Sequence, residues 1–215
     1  MKKIQQLFMV LLMPLFALSM TACAEQYTEG KQYTKVNDTI TTKAEVREYF
    51  SFYCPHCLRF EPFMEQVKKD LPEGVKFERN HVDFLRAASP KVQAMLTKSV
   101  VVAEQLGMGD KLVTAVFNYI QVQKAVVTSE KDIRSVFVLN GADGKKFDKL
   151  MKSFSVNSKA KFLKKSQDNM AKKGALKGVP TMIVNGKYRI NTQELDRNNF
   201  EQDYQNLIKH LLTLK

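Results

Sequence analysis

Cys54-Pro55-His56-Cys57 is the stretch of this 215-residue chain whose residue types and spacing do the most specific chemistry. Two cysteines separated by two residues bring their sulfurs close enough to close a small disulfide ring. If a helix starts at the motif, Cys54 is its cap and Pro55 takes the first helical position, where a fixed φ suits and a missing N–H costs nothing. The N–H groups of His56 and Cys57 then face the Cys54 sulfur, and the positive end of the helix dipole favours an anion there. His56 adds a second favourable charge when protonated. Cys54 is therefore the attacking sulfur, and Cys57, one turn inward and less exposed, is the resolving one. A stabilised Cys54 thiolate favours the reduced protein over its disulfide, so the pair draws electrons from a substrate dithiol.

Two other uses of a Cys-x-x-Cys weigh less. A zinc site takes four ligands, and the chain has three cysteines and three histidines, with no second cysteine pair and with His81 and His210 far away in sequence. A purely structural disulfide across so short a loop stabilises little.

The surrounding elements place the motif between a strand and a helix. Gln32 to Val36 and Val46 to Tyr53 read as strands, the second rich in aromatic and β-branched residues. From Pro55 to Asp70, Leu58, Phe60, Phe63, Met64 and Val67 recur at helical spacing, with a kink expected at Pro62, and Leu71-Pro72-Glu73-Gly74 ends the run. Val75 to Val82 reads as a strand and completes a β-α-β unit with parallel strands. The pattern then turns helical over Val92 to Leu106, Lys111 to Val122, Ser129 to Leu139, Ala142 to Phe154 and Ser158 to Lys173. Strand signals return at Thr181 to Val184 and Tyr188 to Asn191, flanking the two-residue turn Asn185-Gly186, and an amphipathic helix follows from about Asn198 to Leu212. An α/β sheet interrupted by a helical insertion is the expected architecture. Its redox motif lies at the carboxyl end of a strand, where open α/β sheets place their sites.

The first residues read as an address. Lys2 and Lys3 precede an apolar run from Leu7 to Met20, a signal-peptide pattern shorter than a membrane-spanning helix needs. Ala22-Cys23-Ala24 suits cleavage after Ala24, which removes Cys23; Thr21-Ala22-Cys23 loosely resembles a lipoprotein site that would keep it, although Met20 stands where such a site usually has leucine. An exported, soluble protein beginning at Glu25 is expected. Loss of Lys2 and Lys3 takes the net charge of +12 to +10, with many lysines crowded between Lys145 and Lys177. An exported chain rarely meets nucleic acid, so these read as solvated helix faces and no nucleic-acid partner is expected.

Several blocks resemble the DsbA family of periplasmic disulfide oxidases across essentially the whole mature chain. They are Glu29 to Thr34 (EGKQYT), Glu48 to Cys57 (EYFSFYCPHC), Leu71 to Val75 (LPEGV) and Gly178 to Tyr188 (GVPTMIVNGKY). The resemblance implies a thioredoxin fold over 25–84 and 174–215 with an inserted helical domain over 85–173. It implies that Val179-Pro180 is a cis-proline loop facing the disulfide, with the backbone of Val179 able to pair with a bound substrate strand. It also implies that Glu48 is a partly buried acid beneath the disulfide that accepts or relays the resolving cysteine's proton. Without the resemblance, Pro180 reads as an ordinary trans proline and Glu48 as an exposed strand residue. Arg79 stands where family members often have lysine near that acid; it stays charged, so it can act electrostatically but not as a proton relay. His81, on the same strand, reads as a satisfied structural histidine.

The function expected is introduction of disulfides into newly exported, cysteine-containing proteins by a monomer in the periplasm. The resemblance further implies re-oxidation by a quinone-linked membrane partner of the DsbB type, no bound cofactor, and an apolar groove near the motif. A reductase or isomerase, or a peptide-binding chaperone with an incidental disulfide, stays open as an alternative.

Overall fold

The computed structural model describes residues 26–214; the signal-peptide reading, its cleavage point and Cys23 lie outside them. A five-stranded sheet in the order β1-β5-β4-β2-β3 forms the centre. Its strands are β1 (Tyr33–Lys35), β2 (Glu45–Phe50), β3 (Lys76–His81), β4 (Thr181–Val184) and β5 (Tyr188–Ile190). Helix α1 (Pro55–Lys69) joins β2 to β3, and these two strands run parallel as the β-α-β reading requires. Between β3 and β4 the chain makes α2 (Pro90–Gln105), α3 (Gly109–Phe117), α4 (Glu130–Leu139), α5 (Gly144–Lys152) and α6 (Phe154–Lys172), and α7 (Phe200–Thr213) closes the order.

β2 is the strand that positions the site. It lies between β4 and β3, so both of its edges are paired, helices cover its two faces, and five of its six residues are buried. Val46 packs with Met64 and Val67 of α1 and with Leu207, Ile208 and Leu211 of α7. On the opposite face Tyr49 reaches α6, its hydroxyl 2.7 Å from that of Ser166, and the Arg47 guanidinium lies over the Phe162 ring. Phe50 and Phe52, at and just past the strand end, join both cysteines in one core with Leu96, Phe117 and Phe137 of the helical insertion. The redox turn is thus built where the sheet core meets the insertion core.

The turn between β4 and β5 has the form its residues require. Asn185 and Gly186 have φ of 51° and 64°, the left-handed pair of a type I′ hairpin. A Cβ on residue 186 would lie 2.9 Å from a Thr41 methyl, so only glycine fits.

Two element boundaries depart from the sequence reading. The run from Lys111 to Val122 is two elements, α3 followed by a π-helical turn over Asn118–Val122; an extra residue in a turn leaves the apolar spacing almost unchanged, so periodicity does not reveal it. The break between α5 and α6 falls at Ser153, whose hydroxyl accepts from the Val156 N–H at 3.2 Å. Phe154 therefore opens α6 instead of ending α5, and it stands 87% exposed where an apolar residue was expected to continue the core. Pro62 lies within α1, which runs on to Lys69.

Candidate active site

α1 begins directly after Cys54, which sits at its N-cap with extended backbone (φ −94°, ψ 114°) and with Pro55 at the first helical position. The turn is tied from both sides. Cys54 N–H donates to the Ser51 carbonyl at 3.0 Å, and Leu58 N–H donates to the Cys54 carbonyl at 3.2 Å. Gln121, on the π-helical turn of the insertion, donates from Nε2 to the carbonyls of Phe52 (2.7 Å) and Cys54 (3.0 Å).

Both cysteines are free thiols, Cys54 7% and Cys57 1% exposed. Their acidities diverge. The Cys54 thiol is lowered to about 6, chiefly by the hydrogen bond it receives from Cys57, with further help from the N–H groups of His56 and Cys57 and from charge on His56, all against the cost of burial. No closed cap hydrogen bond forms to the Cys54 sulfur, so those N–H groups act on it as nearby dipoles. The Cys57 thiol is raised, because it donates a hydrogen bond to Cys54 and because it is buried. One sulfur is held as a nucleophile and leaving group while the other keeps its proton.

The Val179–Pro180 peptide is cis. The Val179 carbonyl accepts from the Cys54 S–H at 3.3 Å, so the loop before β4 faces the attacking sulfur.

Beneath the turn lies a buried charge cluster. Glu48, at 1% exposure, is fully buried, and the reading of an exposed strand residue fails because it shares the face of Val46, which α1 and α7 cover. It sits opposite Arg79 on β3 and Met182 on β4. Neither carboxylate oxygen has a hydrogen-bond partner among the described residues, and burial pushes its pKa up to about 8 against the pull of Arg79. Arg79 donates instead to Glu61 on α1 at 2.5 Å, and its other terminal nitrogen is 3.4 Å from Asp110, which also pairs with Lys68 at 3.0 Å. Glu61 was not singled out from the sequence. The signal was present: it lies four residues after Cys57 and three before Met64, a charge on the helix stripe that faces the core.

His56 and His81 divide. His56 is exposed at the site, and its Nδ1 lies 2.9 Å from Arg59 Nη2. Guanidinium only donates, so Nδ1 is the unprotonated nitrogen and the ring is neutral in this contact; the His56 charge that favours the Cys54 thiolate belongs to the protonated ring, which cannot accept from Arg59. His81 is far from the motif in sequence but near it in space, its ring stacked on Phe52 at 5.2 Å. Its Nδ1 meets the Thr97 hydroxyl at 3.2 Å, while Nε2 has no partner among the described residues, so it is only half satisfied. Burial lowers its pKa to about 3 and holds it neutral. His210 lies elsewhere, against the rings of Tyr27 and Tyr33.

Beside the redox pair runs a groove of about 440 Å³, lined on one wall by His56, Arg59 and Phe60 and on the other by Val179, Pro180 and Met182.

Residues 45–107 and 92–205 match the family described as DSBA-like thioredoxin domain. The chain is 40% identical over 200 residues to the thiol:disulfide interchange protein DsbA of Escherichia coli strain K12, covering 90% of this chain and 92% of that one. It is 39% identical over 204 residues to the DsbA of Salmonella typhimurium, covering 92% and 94%. Among solved structures, Proteus mirabilis DsbA with a non-covalently bound peptide superposes with a TM-score of 0.77 at 31% identity, over 87% of this chain and 99% of that one. Klebsiella pneumoniae DsbA superposes with a TM-score of 0.74 at 28% identity, over 89% and 100%. A β-α-β sheet carrying Cys-Pro-His-Cys at a helix start, a cis-proline loop against the first sulfur and this breadth of likeness place the chain in the DsbA-like thioredoxin family, as a thiol-disulfide oxidoreductase that acts on proteins by disulfide exchange.

Proposed function

We propose that this oxidoreductase works as an oxidant, handing the Cys54–Cys57 disulfide to newly exported proteins in the periplasm. The observation that carries the reading is the split of the two thiols, Cys54 lowered to about 6 and Cys57 raised. A sulfur that is stable as a thiolate is a good leaving group and makes the reduced protein the favoured state, so electrons run inward from the substrate.

In the oxidised protein a substrate thiolate attacks Cys54 Sγ. The Cys54–Cys57 bond breaks as the substrate–Cys54 bond forms, and Cys57 leaves as a thiolate that takes up a proton. Glu48, beneath the turn with a pKa of about 8, is the group suited to hold that proton and return it. A second substrate thiolate then attacks the substrate sulfur of the mixed disulfide, and Cys54 departs as a thiolate. Two electrons have passed from the substrate dithiol to the Cys54–Cys57 pair. Pro55 fixes the helix start, His56 biases Cys54 toward the anion, and Val179 with Pro180 aligns the incoming strand. A quinone-linked membrane partner of the DsbB type takes the electrons onward. The protein acts as a monomer, needs no bound cofactor and is exported to the periplasm by a signal peptide, residues 1–24, that is then cleaved. Among the described residues no helix is long and apolar enough to cross a membrane.

Oxidised protein mixed with a reduced, unfolded substrate should lose its disulfide one for one as the substrate gains one. Cys57→Ser should accumulate mixed disulfides through Cys54 on non-reducing gels, and Cys54→Ser should not. A Cys54→Ser protein that traps partners while Cys57→Ser does not would reverse the roles. Suppression of aggregation that persists after both cysteines become serine, without disulfide transfer, would favour the chaperone.

A further inference from the structure

We infer that Arg59 selects substrate segments carrying a carboxylate two residues from the reacting cysteine. This deepens the proposed function and rests on it. The groove beside the redox pair has an apolar side, with Phe60, Met182, Phe200 and Tyr204 along it, and a charged mouth. Arg59 is the permanently charged residue of that lining, and no carboxylate lines the groove among the described residues. Its guanidinium is held at the mouth through the single hydrogen bond to His56 Nδ1, 2.9 Å long. A guanidinium has five N–H donors in a fixed fork, so this contact leaves a face free to take a carboxylate in bidentate fashion.

The spacing follows from the geometry of helix and strand. Cys54 caps α1, and Arg59 lies five residues along it, about 7.5 Å further at 1.5 Å per residue. An extended substrate strand advances about 3.3 Å per residue and returns to the same face every second residue. For a substrate strand laid along α1 with its cysteine at Cys54, the side chain two residues away points to the same face as that cysteine and lies about 6.6 Å along, within reach of the arginine fork. A residue one position away points to the opposite face. An ion pair formed at this exposed site should favour the acidic substrate by about three- to five-fold.

The test uses dithiol peptides identical except for Glu or Gln two residues from the first cysteine, placed on either side of it in separate peptides. Second-order rates of oxidation by the wild-type, Arg59→Gln and Arg59→Glu proteins are measured at low ionic strength and in 1 M salt. The ratio of Glu-peptide to Gln-peptide rates within each protein is the readout, and the Arg59→Gln ratio sets the baseline for the effect of Glu on the peptide thiol itself. For one of the two placements the wild-type ratio should exceed that baseline by three- to five-fold and collapse to it in 1 M salt. Arg59→Glu should fall below it. A shift in Cys54 reactivity alone would change all peptides alike and leave every ratio at the baseline. Equal ratios in the three proteins would overturn the inference while the oxidase reading stands; no oxidation of any peptide would overturn the oxidase reading itself.

Discussion

At the scale of single residues, the account rests on how unequally two identical side chains hold their protons. The reduced protein should be alkylated by iodoacetamide through Cys54 with a rate that rises through a midpoint near pH 6, and Cys57 should stay unreactive across that range. His56 contributes the smallest of the favourable influences on Cys54, after the Cys57 hydrogen bond and the backbone N–H groups. His56→Ser should therefore raise the Cys54 pKa by no more than about one unit and make the potential more reducing by at most roughly 30 mV, the two moving together. Thiolate absorbance titration and equilibration with glutathione measure them. An unchanged pKa in a folded His56→Ser protein would leave the helix terminus and Cys57 as the whole source. Glu48 gives the opposite sign in stability. A carboxyl whose folded pKa of about 8 lies above its usual 4.5 binds its proton more tightly in the fold, so the contribution of Glu48 to stability is greatest in acid. It falls as pH rises from about 4.5 to about 8, then levels. Glu48→Gln should abolish that fall and raise stability at pH 7 by on the order of 3 kcal/mol, at about 1.36 kcal/mol per unit, as denaturant unfolding at pH 5 and pH 7 would show. Equal pH profiles for the two proteins would contradict it. The cysteines, Pro55 and His56 could be read from four letters because their chemistry depends on local backbone. Glu48 could not, because α7, which helps cover its face of the sheet, lies more than 150 positions away in the chain.

At the scale of elements, the redox turn depends on a segment whose form the sequence hid. The π-helical turn at Asn118–Val122 sends Gln121 to the carbonyls of Phe52 and Cys54. Gln121→Leu removes the donor and should cost about 1–3 kcal/mol, with faster amide hydrogen exchange concentrated over the residues around Cys54. Unaltered exchange there would mean the turn holds itself. The charge pair behind the turn should be more sensitive. Glu61→Leu takes from the buried Arg79 its hydrogen-bonded partner, leaving Asp110 at 3.4 Å, and should cost about 3–5 kcal/mol by thermal or denaturant unfolding. Strands and the hairpin were legible, since period-two runs and Asn185-Gly186 carry their own signals. The Ser153 break was not, because Ser153 and Ser158 are equally good caps on paper, and only packing decided that Phe154 should open a helix into solvent.

At the scale of the whole molecule, the insertion does more than decorate the sheet. Its core contains both cysteines together with Phe50 and Phe52, so the redox pair is shared between two packing units that the chain visits at separate times. The order of elements, strand, motif, helix, strand, helices, hairpin, helix, was readable because each piece is long and strongly patterned. The contact between them was not, since nothing in a helical run says which strand end it will cover. Placing the site at that seam buries Cys57 in the shared core, while the groove beside the motif is made by α1, the Val179–Pro180 loop and α7 on the sheet side. The most direct test of this account is the reduction potential of the Cys54–Cys57 pair, measured by equilibrating the purified protein against glutathione at pH 7. A potential well above the roughly −270 mV of a thioredoxin-type reductant, and above the roughly −180 to −210 mV poise of an oxidising compartment, is expected. A value at or below about −270 mV would show that the pair gives electrons to its substrates instead of taking them, and would contradict the oxidant assignment.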